Sequence, residues 1–447
     1  MSVTQVEKTV KGFASASAVE AAKLARAASR KLAVLSEATR NAALERAAAR
    51  MEENAARILA ANAEDVRAAE ELAREEKMSA AMLARLRMSE KSVSEMAEKV
   101  RSVMRLPDPL GRRLAATELD EGLVLTKETC SLGVLAVVFE ARPDVLPQVA
   151  SLALKSGNAI LLKGGAEAAR TNEVLMTIWR AALEEFAEVP HGAAQMLQSR
   201  ADVMGLLNLE RDVDLLIPRG GKEFVEKISR QSRIPVLGHG EGICHVYVHA
   251  AADLQRAERI VMDAKVDYPA ACNSVETLLV DGAVAAEFLP KIVARLRAER
   301  VEVRGCERTM AIVKSNEVKA ASQEDWATEY GDLILSVKVV DGVNQAIAHV
   351  HEYGSGHTEA IVTEDLQAAE KFLKEVDAAG VYHNASTRFA DGYRYGFGAE
   401  VGISNGKLHA RGPMGMDGLT TYKYKLRGSG QTVGEYKTGK RFTHRPL

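Results

Sequence analysis

The apolar positions of this chain change their period three times. Up to residue 105 they recur at helical spacing among Ala, Glu, Arg and Leu. Ala-rich amphipathic helices of this kind pack closely and expose a charged face. The repeat is not a sustained heptad, so an extended coiled coil is not expected. Breaks fall at Ser36, before Glu37-Ala38-Thr39, and at Ser79; Pro107 and Pro109 end the region. Over 112–129 the period drops to two. Leu114 to Leu119 and Leu123 to Lys127 flank Asp120-Glu121-Gly122 and predict a β-hairpin. With no obvious partner in its own domain, it reads as an arm that pairs elsewhere.

From 133 to 249 short apolar strands alternate with helices. The strands expected are 134–138, 159–163, 194–197, 213–217 and 234–237, with helices near 144–156, 171–186, 201–208 and 221–232. A second set follows over 253–385, with strands at 277–280, 310–313, 333–340, 357–363 and 380–383. Such alternation predicts α/β architecture with parallel, doubly wound sheets, whose ligands bind beyond the carboxyl ends of the strands. The tail from Tyr393 is Gly-rich and weakly patterned, and reads as an irregular functional segment.

A chain of 447 residues holds two or three domains and buries roughly three quarters of its unfolded surface. A formal net charge of −2 gives no electrostatic case for nucleic acid or an anionic membrane. Cys130, Cys244, Cys272 and Cys306 form no C-x-x-C pair and read as reduced thiols. No apolar signal core and no long apolar run is present, so a cytoplasmic protein without a membrane span is expected.

Cys272 carries the chemistry. It lies in Asp267-Tyr268-Pro269-Ala270-Ala271-Cys272-Asn273-Ser274, between a helical stretch and a strand. A thiol on a loop of small residues can meet a ligand; the ordinary alternative is a buried, inert cysteine. Two loops at strand ends suit a nucleotide. Lys163-Gly164-Gly165-Ala166 can reach a ribose or phosphate, and Arg219-Gly220-Gly221-Lys222 opens a helix whose N–H groups suit a diphosphate. Either could be a plain surface turn. No G-x-G-x-x-G follows an expected strand. His239, His245 and His249 match no zinc spacing, so no metal is expected.

Several long segments resemble the gamma-glutamyl phosphate reductase (glutamate-5-semialdehyde dehydrogenase) family of the aldehyde dehydrogenase superfamily. They are Phe139-Glu140-Ala141-Arg142-Pro143-Asp144, Ile217 to Gly221, Gly238 to His245, Asp267 to Thr277, Gly354 to Ala360 and Lys407 to Gly415. The resemblance implies two doubly wound α/β domains plus a β-hairpin oligomerisation arm. An NADP(H)-binding domain would span 1–111 and 130–243 with part of 390–418. A catalytic domain would span 244–389, and the arm 112–129 and 419–447. It implies NADPH-dependent reduction of glutamyl phosphate to glutamate 5-semialdehyde and phosphate, the second step of proline biosynthesis, through a thioester on Cys272. Backbone N–H groups at Cys272 and Asn273 would hold the oxyanion. Lys163, Gly164, Gly165, Ala166, Arg219, Gly220, Gly221, Lys222 and Glu329 would contact NADP(H), and Glu140, Arg142 and Arg411 the substrate. A homo-oligomer, dimer or larger, and association with a glutamate 5-kinase are further implications.

The departures from aldehyde-oxidising relatives carry information. Where those relatives place a general-base Glu, this chain has Leu237-Gly238-His239-Gly240. A reductase that exchanges its thioester with phosphate has no use for that base. Phosphate-independent oxidation of a semialdehyde to its acid is the alternative. Where NAD-preferring relatives place a Glu after the lysine, this chain has Ala166 and then Glu167. Loss of that anion favours a 2′-phosphate, hence NADP(H).

Overall fold

The computed structural model describes residues 16–447 other than Glu76, Ser79, Ala141, Gly221 and His239, and leaves aside the side chains of Ala16, Ala80, Ala81 and Lys222. The break read at Ser79 therefore lies outside the described residues. Helices run Ala16–Leu32, Glu37–Glu53, Ala55–Arg74, Ala80–Leu86 and Glu90–Met104. Ser36 starts the second of these by accepting the Thr39 N–H on its Oγ at 3.1 Å. Ala43, Ala47 and Ala48 on its inner face are fully buried.

The hairpin forms as expected from β1 (Arg113–Asp120) and β2 (Leu123–Ser131), with Gly122 at φ +70° in the turn. Next come β3 (Val134–Phe139), β4 (Ala159–Lys163), β5 (Ala194–Met196) and β6 (Leu215–Arg219). They form a parallel sheet ordered β5-β4-β3-β6, and every residue of β3 is buried, as in a strand covered on both faces. The strand expected at 234–237 reduces to one bridge between Leu216 and Val236. Pro235 in that run has no N–H to give a ladder.

A second parallel sheet contains β7 (Cys244–Val248), β8 (Val275–Asp281), β9 (Glu302–Gly305), β10 (Lys319–Ala320), β11 (Ile334–Val340), β12 (Thr358–Val362) and β13 (Gly380–His383). Its order is β10-β9-β11-β8-β7-β12-β13. Val246, Val248, Leu278 and Val280 pack with helices Leu254–Val266 and Gly282–Ala298. Tyr247, Leu279 and Ile361, on the other face, pack with Gly342–Tyr353 and Leu366–Glu375. Both faces are covered, which makes the sheet doubly wound. One expectation fails here: 310–313 is not a strand but the end of the helix Glu307–Val313. The strand is Glu302–Gly305, whose charged residues hid it, while a short apolar run such as Met310-Ala311-Ile312-Val313 suits either element.

After the short pair β14 (Ile403–Ser404) and β15 (Gly412–Pro413), the tail supplies β16 (Thr420–Arg427) and β17 (Arg445–Pro446). These flank the hairpin in an antiparallel sheet ordered β16-β2-β1-β17. The hairpin does have a partner in its own chain, about 300 residues downstream: Thr126 and Lys425 are 299 positions apart. The chain divides into two compact units, Met1–Gly238 with Phe397–Gly402 and Met414–Leu447, and His239–Gly396 with Ile403–Pro413. No helix among the described residues is long and apolar enough to cross a membrane.

Candidate functional site

In the first unit the chemistry-bearing loops leave the carboxyl ends of adjacent strands. Val138 is in register with Lys163, and Phe139 with Arg219, so Glu140, Gly164 and Gly220 emerge side by side. Lys163 is half-buried and donates from Nζ to the Gly164 carbonyl at 2.5 Å. Burial lowers the pKa of its ammonium, with Glu167 opposing. Glu140 is solvent-exposed as a residue, yet partial desolvation, with Glu167 adding to it, raises its carboxyl. A Cβ on Gly164 would fall 2.2 Å from Asn172 Nδ2, and one on Gly220 3.1 Å from the Glu140 carboxyl. Only glycine fits beside the buried Asn172 at position 164, whereas at 220 the exposed Glu140 carboxyl can give way. Asn172 is fully buried beside Gly164 with neither amide atom partnered among the described residues.

Arg219 is turned onto the returning segment, where its guanidinium donates to the Val401 carbonyl. Arg142 is exposed and meets Asp144 at 3.4 Å, a surface pair of small worth. Gly221 and the side chain of Lys222 lie outside the described residues. Ala166 is exposed at the start of a short 3₁₀ turn. The carboxylate that the sequence shifts to position 167 folds back over Gly165, whose Cβ would lie 2.0 Å from Glu167 Oε1.

In the second unit Cys272 occupies the turn ahead of β8, at the amino-terminal edge of the parallel sheet, half-buried. The turn is braced from three sides. Ser274 N–H donates to the Ala271 carbonyl at 2.9 Å. Cys244 Sγ donates to the Cys272 carbonyl at 3.3 Å. Gly242 packs so close that a Cβ would sit 2.0 Å from that same oxygen. Burial pushes the Cys244 thiol far up, with Glu359 adding to it, so it stays a neutral donor. Asn273 is buried. Its Nδ2 donates to the Ala390 carbonyl at 2.8 Å, and its Oδ1 accepts from Arg388. Its amide is thereby committed to structure, leaving only its backbone N–H for chemistry.

A buried ion pair and a buried histidine–carboxylate contact stand behind this turn. Lys265 Nζ meets Glu276 Oε2 at 2.6 Å, both essentially without solvent exposure. Burial pushes the Glu276 carboxyl up to about 7, against the pull of Lys265. Gly331 N–H donates to the other Glu276 oxygen at 3.2 Å, and half-buried Glu329 lies close enough to raise it further. On the next strands His245 Nδ1 and Glu359 Oε2 are 2.8 Å apart, and burial raises Glu359. Arg411 pairs with Asp377 at 2.9 Å.

Cys272, Asn273, Glu329 and Arg411 thus belong to one unit, and Lys163, Gly164, Gly165, Ala166, Glu140, Arg142, Arg219 and Gly220 to the other. Sequence reasoning passed over Gly242, Cys244, the Lys265–Glu276 pair and Glu359. Gly242, Cys244 and Glu359 fall inside the ordered segments 238–245 and 354–360, the signal that could have singled them out. Among the described residues no three His, Cys, Asp or Glu side chains gather as metal ligands.

The sequence profile of the aldehyde dehydrogenase family matches residues 4–324. A gamma-glutamyl phosphate reductase of Synechococcus sp. (strain JA-2-3B'a(2-13)) is 53% identical over 413 residues, covering 92% of this chain and 90% of that one. That of Haloquadratum walsbyi is 52% identical over 417 residues, covering 92% and 91%. The crystal structure of the gamma-glutamyl phosphate reductase of Thermotoga maritima superposes with a TM-score of 0.89 at 40% identity, covering 93% of this chain and 99% of that one. Fold, braced cysteine turn and relatives agree, and the chain belongs to the aldehyde dehydrogenase family, in its gamma-glutamyl phosphate reductase branch.

Proposed function

We propose that this chain is an NADPH-dependent glutamate-5-semialdehyde dehydrogenase of the phosphorylating type, reducing L-glutamyl 5-phosphate to L-glutamate 5-semialdehyde and phosphate in proline biosynthesis. The observation that carries the reading is the Cys272 turn. A half-buried cysteine whose backbone carbonyl is braced by Gly242 and Cys244 sits on a turn, in a chain half identical to reductases of that name.

Cys272 thiolate attacks the acyl-phosphate carbon; the carbon–oxygen bond to phosphate breaks and phosphate leaves with its electron pair. The backbone N–H groups of Cys272 and Asn273 stabilise the oxyanion. When bound, the reduced nicotinamide supplies a hydride to the thioester carbon. The resulting thiohemiacetal collapses, releasing the aldehyde and the Cys272 thiolate.

The first unit fits such a dinucleotide. Gly164 leaves bare backbone where a Cβ would clash, Gly220 leaves bare backbone beside Glu140, and Lys163 places a cation beside Gly164. Ala166, Gly165, Arg219, Gly221 and Lys222 complete the contacts, and Glu329 takes the nicotinamide ribose. Exposed Ala166 leaves room for a 2′-phosphate. Glu140, Arg142 and Arg411 address the substrate. The protein works in the cytoplasm as a homo-oligomer through the sheet built on β1 and β2, fed by a glutamate 5-kinase.

The test is the reverse reaction: pyrroline-5-carboxylate with NADP⁺, with and without inorganic phosphate. Strict phosphate dependence of NADPH formation supports the reading and accounts for the sequence Leu237-Gly238-His239-Gly240 where oxidising relatives carry a base. NADPH formation without phosphate would instead mean oxidation to the acid.

A further inference from the structure

Wholly within the second unit lies a pocket of about 300 Å³ lined by Val350, His351, Gly354, Gly356, Glu359 and Asp377. This is the lower end of the range for small-ligand sites. Its floor is Glu359, which has no solvent exposure. Glu359 Oε2 is satisfied twice at 2.8 Å, by the His245 backbone N–H and by His245 Nδ1. Oε1 has no partner among the described residues. Gly354 stands over it: a Cβ there would come within 3.1 Å of Oε1 and 2.5 Å of the Val350 carbonyl oxygen, so only glycine fits beside it. A buried carboxylate oxygen facing a pocket is costly unless a donor arrives.

The other end of the pocket has the opposite balance. Asp377 is met by both Arg411 and Lys407, two cations on one carboxylate. The Arg411 guanidinium lies 3.9 Å from the Cβ position of Gly356. One end therefore has a carboxylate held on a single oxygen, with His245 and His351 nearby, and the other gathers two cations on one carboxylate. Ser355, between the two glycines, accepts the Ile243 N–H at 2.9 Å, and the neighbouring Gly242 lies against the Cys272 carbonyl. The pocket loop and the nucleophile turn thus rest on the same short segment.

Building on the reaction proposed above, we infer that this pocket holds the α-amino-acid head group of the substrate, with Glu359 Oε1 taking the ammonium and Arg411 the carboxylate. An ammonium has three donors for the open oxygen, and a zwitterion matches the two ends at once.

Isothermal titration tests it with two probes, L-glutamate and glutarate, which differ only in the amino group. The wild-type chain is expected to bind L-glutamate at least tenfold more tightly. Glu359→Gln should erase that preference without changing glutarate affinity more than twofold. Arg411→Met should weaken both ligands about tenfold and keep the preference, a second arm that stands if Glu359→Gln does not fold. Equal wild-type affinities, a preference retained in Glu359→Gln, or unchanged binding in Arg411→Met would each overturn the assignment. A chain that prefers L-glutamate yet shows no phosphate-dependent turnover would refute the reaction and leave the pocket. Phosphate-dependent turnover with equal binding of the two probes would do the reverse.

Discussion

Replacing Gly242 with alanine isolates the support of the nucleophile from everything else. The new Cβ would lie 2.0 Å from the Cys272 carbonyl oxygen, 2.7 Å from its carbon and 2.8 Å from its Cα. A carbon–oxygen contact needs roughly 3.3 Å. All three atoms are backbone, so no flexible side chain can yield, and the turn must retreat by about 1 Å. Gly242 is not among the residues at positive φ, so alanine brings no conformational strain of its own. Overpacking of this size costs about 1–3 kcal/mol, which a domain of this size survives. At the reacting centre a misplacement of about 1 Å costs on the order of 100-fold. The expectation is a kcat for phosphate-dependent oxidation of pyrroline-5-carboxylate lowered about 100-fold, NADP⁺ affinity within twofold of wild type, and a retained cooperative melt. Gly240→Ala is the control, because nothing lies within 4 Å of its Cβ position; it should leave kcat unchanged. Wild-type turnover in Gly242→Ala, or equal losses in both variants, would refute the argument.

Cys272→Ser should abolish turnover while cofactor binding, followed by fluorescence titration, stays within twofold; retained turnover would remove the nucleophile assignment. Ala166→Glu should weaken NADPH more than NADH. Glu167 already folds over Gly165, so an unmoved ratio of their kcat/KM values would show that the 2′-phosphate is read elsewhere. Lys265→Met leaves Glu276 buried without its counter-charge, and loss of one partner of such a pair costs about 3–5 kcal/mol. A urea melt should show that loss, and restoration by adding Glu276→Gln would assign it to the pair; an unchanged midpoint would rule the pair out as a stabilising element.

What the sequence disclosed followed the range over which each signal acts. The buried strands β3, β4 and β12 were legible because an uninterrupted apolar run needs no distant partner to be recognised. The Cys272 turn was legible because helix, proline, small residues and strand follow one another directly. Glu302–Gly305 was missed because charged residues alternate within it, and the apolar helix Glu307–Val313 drew the assignment instead. The requirement for glycine at 242 comes from a residue 30 positions away, and the role of Glu359 from His245, 114 positions away. The hairpin was read correctly, but its flanking strands lie at the far end of the chain, where the alternation of Tyr422, Tyr424 and Leu426 with Lys423, Lys425 and Arg427 follows a glycine-rich stretch that masked it.

That last pairing sets a clock for the chain during its synthesis. Thr126 and Lys425 are hydrogen-bonded across 299 positions, which a ribosome takes about 15–60 s to traverse at ordinary rates. Throughout that interval β1 and β2 exist with both outer edges bare, a hairpin awaiting strands not yet made. Bare edges recruit other chains. Slow codons or pauses between residues 131 and 420 would lengthen the exposure, so expression yield should respond to elongation rate there more than to the stability of the finished fold.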